Sequence, residues 1–342
     1  MSIHVHDIKE FSSKMTAKKL ANHWQLYRSY RRSQRHGKAA ISGFPSSISV
    51  EPTTACNLRC PECPSGLRSF SRPTGNLKAD FFRSMLVDLQ DYLMYLIFYF
   101  QGEPYINPQF LEMVEHASKQ GIYTITSTNG HFLTKEASER TVKSGLSRLI
   151  ISIDGATQET YASYRKEGKL DQVIEGTRNV IEAKRRLKSK TPHVVFQFLV
   201  VRPNEHEIQA VRDLAKELGV DEIKFKSAQI YDYKNGNDLI PTLPQYSRYR
   251  ELSDGTFELK TKLHNRCWKM WHSCVITWDG QVVPCCFDKD AKHPMGSLRL
   301  ENFKDIWTNT TYQGFRNAIL TARDQIDICT NCSEGLNAWV GS

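Results

Sequence analysis

The sequence predicts an α/β chain of 342 residues: a six-stranded parallel sheet covered by helices, then a small cysteine-rich part built on a β-hairpin and a helix. Three observations carry this. Between Ser47 and Ser227, six short β-rich apolar runs alternate with longer amphipathic stretches, the pattern of repeated βα units. Each of those runs ends in polar or glycine residues. The nine cysteines fall into two groups, 56–63 and 267–332, at metal-type spacings rather than spread as a disulfide framework.

The elements follow in order. Ile8, Phe11, Met15, Leu20, Trp24 and Tyr27 recur at roughly helical spacing among basic residues, which predicts an amphipathic helical extension over 1–45. Strands are expected at Ser47–Pro52, Tyr95–Phe100, Tyr123–Ser127, Arg148–Ile153, His193–Val201 and Glu222–Lys226. Helices are expected at Ala79–Tyr92, Asn107–Gln120, Lys135–Ser144, Leu170–Lys188 and Glu205–Leu218. These place a first domain over 46–230, a linker over 231–266 and the cysteine-rich part over 267–342. Pattern alone does not separate a doubly wound sheet from a partial barrel.

In parallel sheets, chemistry gathers at the C-terminal strand ends. The first strand runs into Cys56-Asn57-Leu58-Arg59-Cys60-Pro61-Glu62-Cys63. The second ends in Gln101-Gly102-Glu103-Pro104, the third in Ser127-Thr128-Asn129-Gly130 and the fourth in Ser152-Ile153-Asp154-Gly155. Arg202-Pro203-Asn204 follows the fifth and Lys226-Ser227 closes the sixth. Three thiolates at C-x3-C-x2-C spacing can hold three corners of a four-iron cluster, leaving one iron open. A structural zinc site would close with four protein ligands, and no fourth Cys or His is near in sequence.

The stretch Glu51 to Cys63, EPTTACNLRCPEC, resembles the cluster loop of the radical S-adenosylmethionine (SAM) enzymes. That resemblance implies a partial, TIM-like (β/α)6 barrel with a [4Fe–4S] cluster on Cys56, Cys60 and Cys63. It further implies that the open iron binds SAM, whose reductive cleavage yields a 5′-deoxyadenosyl radical that takes hydrogen from a substrate. Gln101-Gly102-Glu103-Pro104 is similar to the family's Gly-Gly-Glu-Pro segment, which implies that Gln101, Gly102 and Glu103 meet the SAM amino group. By the same resemblance Ser127 and Asn129 would bond the methionyl part, and Ser152 and Asp154 the ribose. Arg202 would pair with the SAM carboxylate, which a planar guanidinium suits. The family usually carries an aromatic residue before its third cysteine, where this chain has Glu62.

In the C-terminal part, Cys274 opens Val275-Ile276-Thr277-Trp278, Asp279-Gly280 signals a hairpin turn, and Gln281-Val282-Val283-Pro284 leads into Cys285-Cys286. A helical stretch, Asn302 to Leu320, precedes Cys329-Thr330-Asn331-Cys332. This region resembles the SPASM/twitch extensions of radical SAM enzymes, which hold auxiliary [4Fe–4S] clusters. The shorter, one-cluster twitch form suits six cysteines, and the implied ligands are Cys267, Cys285, Cys329 and Cys332. Cys286 is the alternative to Cys285, and a four-thiolate zinc site is the alternative to the cluster. Cys274, inside an apolar run, is expected to be a buried small hydrophobe.

The expected function is hydrogen abstraction by a radical SAM enzyme, with an auxiliary cluster assisting oxidation of a peptide or small-molecule substrate. Asp232 and Asp288 are the candidate catalytic bases. An external electron donor of flavodoxin or ferredoxin type is the expected protein partner. The competing class is an iron–sulfur electron-transfer or metal-binding protein that cleaves no SAM.

Of the formal charge of +9, residues 1–50 account for +7, with nine Lys/Arg against Asp7 and Glu10. A nucleic-acid partner, which needs a broad basic surface, is therefore not indicated. A basic amphipathic helix can lie on an anionic membrane surface or pack against the barrel with its charges in water. The longest apolar run, Tyr92 to Phe100, has nine residues against the ~20 needed to span a bilayer, and no signal-peptide pattern is present. The expectation is a cytoplasmic protein, where thiols stay reduced, with peripheral attachment at the inner membrane surface as an option.

Overall fold

The computed structural model describes residues 5–333. Where periodicity suggested one N-terminal extension, two helices form, α1 (Val5–Ser13) and α2 (Ala17–His36). The break falls at Thr16, which stays extended and accepts a hydrogen bond from the Lys19 amide (3.3 Å), an N-cap that starts α2 afresh. Gly37, in the left-handed region, ends it. α2 buries Leu26 and Tyr30, and the Tyr30 ring packs 5.3 and 5.2 Å from those of Trp268 and Trp271. Lys19 is buried too, its Nζ donating to the carbonyl of Gly121 (2.6 Å). One face of this basic segment therefore packs on the body of the protein. Among the described residues no helix is long and apolar enough to cross a membrane.

The six β-rich runs become β1 (Ser47–Val50), β2 (Tyr95–Ile97), β3 (Tyr123–Thr128), β4 (Arg148–Ser152), β5 (His193–Val200) and β6 (Glu222–Ser227). They pair in sequence order, each parallel to the next. Between them run a one-turn α3 (Pro64–Leu67), α4 (Ala79–Leu86), α5 (Phe110–Lys119), α6 (Lys135–Lys143), α7 (Gln158–Tyr164), α8 (Leu170–Arg186) and α9 (Ile208–Leu218). Ile48, Leu96, Phe98, Leu149, Ile151, Phe196 and Phe198 are buried along the strands, and Phe82, Val114, Val173 and Val211 bury the facing helices. α4 stops several residues before the expected Tyr92, and α7 had no strong periodic signal in its seven residues.

The cysteine-rich part does not stand apart. After a two-stranded antiparallel ribbon, β7 (Tyr249–Glu251) with β8 (Phe257–Leu259), and a short α10 (Lys269–His272), the chain forms β9 (Ser273–Ile276). β9 pairs parallel with β1, in register from Ser47↔Ser273 to Val50↔Ile276. β10 (Gln281–Val283) and β11 (Gly296–Ser297) follow antiparallel, then α11 (Phe303–Thr308) and α12 (Thr310–Thr321). The result is one nine-stranded sheet, β11-β10-β9-β1-β2-β3-β4-β5-β6. β6 remains at the far edge, so the barrel is open, and the auxiliary part extends the sheet at β1.

The expected linker is itself structured. Ile230, Ile240 and Tyr249 form a second apolar cluster with Leu58, Cys60 and Tyr164, and so pack on the cysteine loop.

Candidate active site

The loop after β1 is held by backbone contacts that require particular residues. Gly102 has φ +75°, and a Cβ there would lie 2.2 Å from the carbonyl oxygen of Thr53 and 2.8 Å from that of Ala55. Its amide donates to Ser65 Oγ (2.8 Å), and the Glu103 amide donates to the Ala55 carbonyl (2.7 Å). Only glycine lets the end of β2 press this closely on the thiol loop. In α3, a Cβ on Gly66 would lie 2.6 Å from the backbone of Cys60.

Around the three thiols stand side chains from several strand ends. Asn129, after β3, donates from Nδ2 to Asn57 Oδ1 (2.7 Å) and lies 3.9 Å from Cys56 Sγ. Gln101 Oε1, after β2, lies 3.9 Å from Cys63 Sγ. Arg165, at the end of α7, has Nη1 3.8 Å from Cys60 Sγ and donates from Nε to Asp154 Oδ2 (2.5 Å). Burial pushes the Cys56 thiol up to about 11, and the other two thiols add to the shift. Burial raises Cys60 as well, against the pull of Arg165. Neutral thiols held together in this way become ligands only on losing their protons to a metal.

Glu103 is fully buried, and its carboxylate is spoken for. Oε1 accepts from Thr128 Oγ1 (2.8 Å) and the Tyr105 amide (3.2 Å), and Oε2 accepts from the Asn129 amide (2.7 Å). Desolvation nonetheless pushes its pKa up to about 7. The side chain thus ties the end of β2 to the end of β3. Asp154 is likewise engaged within the protein. It is buried, paired with Arg165, and accepts from the Leu199 amide (2.7 Å). Ser127 and Ser152 end β3 and β4 as expected, the first half-buried and the second buried. Arg202 does not join the group. It is exposed and donates from Nε to the Ile240 carbonyl (3.0 Å), in the linker. Glu62, in the place of the family's aromatic residue, accepts from the Tyr231 amide (2.9 Å) and ties the thiol loop to that linker.

Of the two proposed bases, Asp288 has both carboxylate oxygens engaged within its own loop. Both carboxylate oxygens of the buried Asp288 accept backbone amides, from Lys292 (2.8 Å) and His293 (2.9 Å), which makes it a clamp on its own loop. Asp232 is exposed on the linker. Sequence reasoning missed Arg165, which reaches Cys60 across 105 residues of sequence. It lies eleven residues after its partner Asp154, beyond α7, where no motif marks it. Sequence reasoning also missed the buried pair of Glu51 with Arg72, in which Arg72 Nη1 donates to Oε2 (2.8 Å) and Nη2 to Oε1 (2.5 Å). The Trp278 amide also donates to Glu51 (3.3 Å), so this pair fixes the β9–β10 turn to the end of β1.

A second thiol group forms below α2. Cys267, Cys329 and Cys332 are buried and Cys285 half-buried. Cys267 lies within electrostatic reach of Cys285 and of Cys329, and Cys329 within reach of Cys332, so the four expected ligands share one neighbourhood. Burial pushes Cys329 up to about 11. Arg323, buried, donates from Nη1 to the Arg266 carbonyl (2.6 Å) and from Nη2 to Cys332 Sγ (3.4 Å). Cys286 lies 3.2 Å from Lys269 Nζ and hydrogen-bonds Cys285, whose pKa is raised first by that bond and then by burial. Cys274 is buried on β9, opposite Ile48. Asn331, between the last two cysteines, donates to the Ile230 carbonyl (2.7 Å) and accepts from the Tyr249 hydroxyl (3.0 Å), so the linker bridges the two thiol groups.

Among the described residues no three His, Cys, Asp or Glu side chains converge on one ion position. A zinc site needs four ligands around a single ion, whereas in an iron–sulfur cluster the thiolates bind different irons and stand farther apart. The three-thiol group at 56–63 fits the second arrangement, and the donors of the four-thiol group suit either.

The profile of the radical SAM superfamily matches residues 50–218, and that of the SPASM iron–sulfur cluster-binding domain matches residues 267–333. The chain is 25% identical over 323 residues to the tungsten-containing aldehyde ferredoxin oxidoreductase cofactor-modifying protein of Pyrococcus furiosus, covering 83% of this chain and 86% of that one. It is 26% identical over 298 residues to the PqqA peptide cyclase of Bradyrhizobium diazoefficiens, covering 81% and 74% respectively. The fold is similar to that of Streptococcus suis SuiB bound to precursor peptide SuiA, with a TM-score of 0.61 at 15% identity, over 90% of this chain and 73% of that one. The chain belongs to the radical SAM superfamily and is an enzyme of that family with a SPASM-type domain. Its cofactors are a SAM-binding [4Fe–4S] cluster, SAM and auxiliary iron–sulfur chemistry.

Proposed function

We propose that this enzyme carries out a SAM-dependent oxidation of a carbon centre in a peptide or small molecule, assisted by one auxiliary cluster. Cys56, Cys60 and Cys63 hold the SAM-binding cluster, and Cys267, Cys285, Cys329 and Cys332 hold the auxiliary one. The observation that carries the reading is the pairing of two buried or half-buried thiol groups beside one continuous sheet, joined by the ribbon segment through Tyr249 and Asn331. The bound cluster supplies the electron that cleaves SAM. The protein's part is to hold and orient. Gln101, Gly102 and Asn129 line the thiol loop, and Glu103 and Asp154 fix the strand ends from behind.

Arg165 takes the SAM carboxylate in place of Arg202, because it is the half-buried guanidinium beside Cys60. Support for a peptide or a small molecule comes from the relatives, one named for a peptide and one for a cofactor. A flavodoxin- or ferredoxin-type protein supplies electrons. The test is 5′-deoxyadenosine release with dithionite, together with SAM binding. Arg165→Lys should weaken SAM binding by about 1–3 kcal/mol, and Arg202→Ala should leave it within about 0.5 kcal/mol. The reverse ranking would return the carboxylate to Arg202, and a reconstituted protein that releases no deoxyadenosine would defeat the proposal.

A further inference from the structure

The C-terminal half of α2 and the turn after it carry a charge that no ion pair balances among the described residues. Arg28, Arg31, Arg32, Arg35 and Lys38 are all exposed, and residues 28–38 contain no acidic side chain. Among the described residues none of the five makes an ion pair, although Lys18, earlier on the same helix, is held by Asp91 (2.6 Å). A helix packed only for stability gains nothing from five uncompensated cations, which repel one another. Solvation alone could account for one or two.

Beside this stripe the surface opens into a depression of about 250 Å³ lined by Gln34, Gly37, His264, Asn265, Arg266 and Leu320. Its lining offers hydrogen-bond donors and no carboxylate. It also lies next to the second thiol group. Exposed Arg266 immediately precedes buried Cys267. Its carbonyl accepts from Arg323, whose other terminal nitrogen donates to Cys332. From above, Tyr30 of α2 packs on Trp268, the residue after Cys267. One layer of side chains thus separates a basic, donor-rich surface from the auxiliary thiols.

We propose that this face, Arg28–Arg35 of α2 and Lys38 just beyond it with the 264–266 segment, docks an acidic one-electron carrier protein beside the auxiliary site. Complementary charge steers such an encounter, and the short distance to the thiols gives it a purpose that an anionic bilayer would lack. One electron crosses per encounter: the reduced carrier loses it, the enzyme gains it, and no bond forms or breaks. The large exposed apolar residues of α2, Leu20 and Trp24, lie in its other half, and Arg28 stacks on Trp24 (4.6 Å). The basic density therefore lacks the apolar partners that membrane insertion uses. The inference rests on reading the auxiliary thiols as an iron–sulfur site.

The test titrates an oxidised acidic flavodoxin into the reconstituted holoenzyme by calorimetry. Saturable binding is expected at low salt, weakening about tenfold or more between roughly 50 and 300 mM. Arg31→Glu/Arg35→Glu should weaken it by about tenfold or more again, with dithionite-driven SAM cleavage unchanged. Arg266→Glu, on a different segment, should act in the same direction and guards against a defect confined to α2. Absent binding at low salt, or equal affinity in these variants, overturns the proposal. So does a wild type that binds phosphatidylserine vesicles through these residues and ignores flavodoxin. Iron content on the same samples separates the two readings. Enzyme with about eight irons that ignores flavodoxin defeats docking alone, and enzyme with about four defeats the auxiliary site.

Discussion

The thiols at the barrel mouth come from one loop of eight residues, whereas those of the second group come from segments spread over 267–332. The first group is preformed by local packing, with Gly66 and Gly102 pressed against the loop backbone and Asn129, Gln101 and Arg165 reaching in from separate strands and helices. The second exists only when β9, β10 and the chain end around 323–332 are docked, with Arg323 bridging Arg266 to Cys332. A local site should tolerate loss of the distant fold better than a distributed one. It should be far less tolerant of a single Cβ added against the loop, at Gly66 or Gly102.

The largest expected effect comes from Cys60→Ala. It should abolish SAM cleavage and lower iron from about eight to about four per chain, leaving the second group loaded. Loss of all iron would mean that the two sites are not independent. Next comes Gly102→Ala, whose Cβ would overlap the Thr53 carbonyl at 2.2 Å from a left-handed backbone. It should cost roughly 2–4 kcal/mol in thermal or denaturant unfolding and perturb the first site before the second. An unchanged melting curve would show that the loop is not clasped in this way.

Glu103 sharpens the comparison through pH. Its folded pKa is raised to about 7 from an ordinary value of 4.5, so the folded state binds more protons than the unfolded state between those values. Stability from this group is present below about pH 4.5 and is lost as pH rises through about 7. The apoprotein should lose up to about 3 kcal/mol across that window, and Glu103→Gln should flatten the dependence. Equal slopes in the two proteins would contradict the assignment. The smallest effects separate the two aspartates. Asp288→Ala should cost about 1–2 kcal/mol through two freed backbone amides, while Asp232→Asn should change stability by less than about 0.5 kcal/mol and turnover by less than about twofold.

The sheet was legible because each strand is a short apolar run bounded by polar turns, and the first thiol group because its three ligands share one loop. Less legible was anything carried by contacts across the chain. That β9 would pair with β1 rather than found a separate domain depends on two short strands with no pairing signal of their own. Arg165 does not stand out in sequence, whereas Arg202 follows a strand end and invites the carboxylate role. Only the turn of α7 brings the first to Cys60, and the linker takes the second through Ile240. Asp288 follows two cysteines and invites a catalytic reading, but the loop 285–293 closes on it and uses both of its oxygens. Glu62, odd against the family's aromatic residue, makes sense once the Tyr231 amide is seen above it.

The claim that these seven thiols form two separable iron–sulfur sites is tested most directly by iron, zinc and sulfide analysis with Mössbauer spectroscopy. The samples are anaerobically reconstituted wild type and the Cys56/Cys60/Cys63→Ala triple variant. The account predicts about eight irons in two [4Fe–4S] clusters for the wild type and about four in one cluster for the variant. A wild type with about four irons and one zinc, or a variant with no iron, would contradict it.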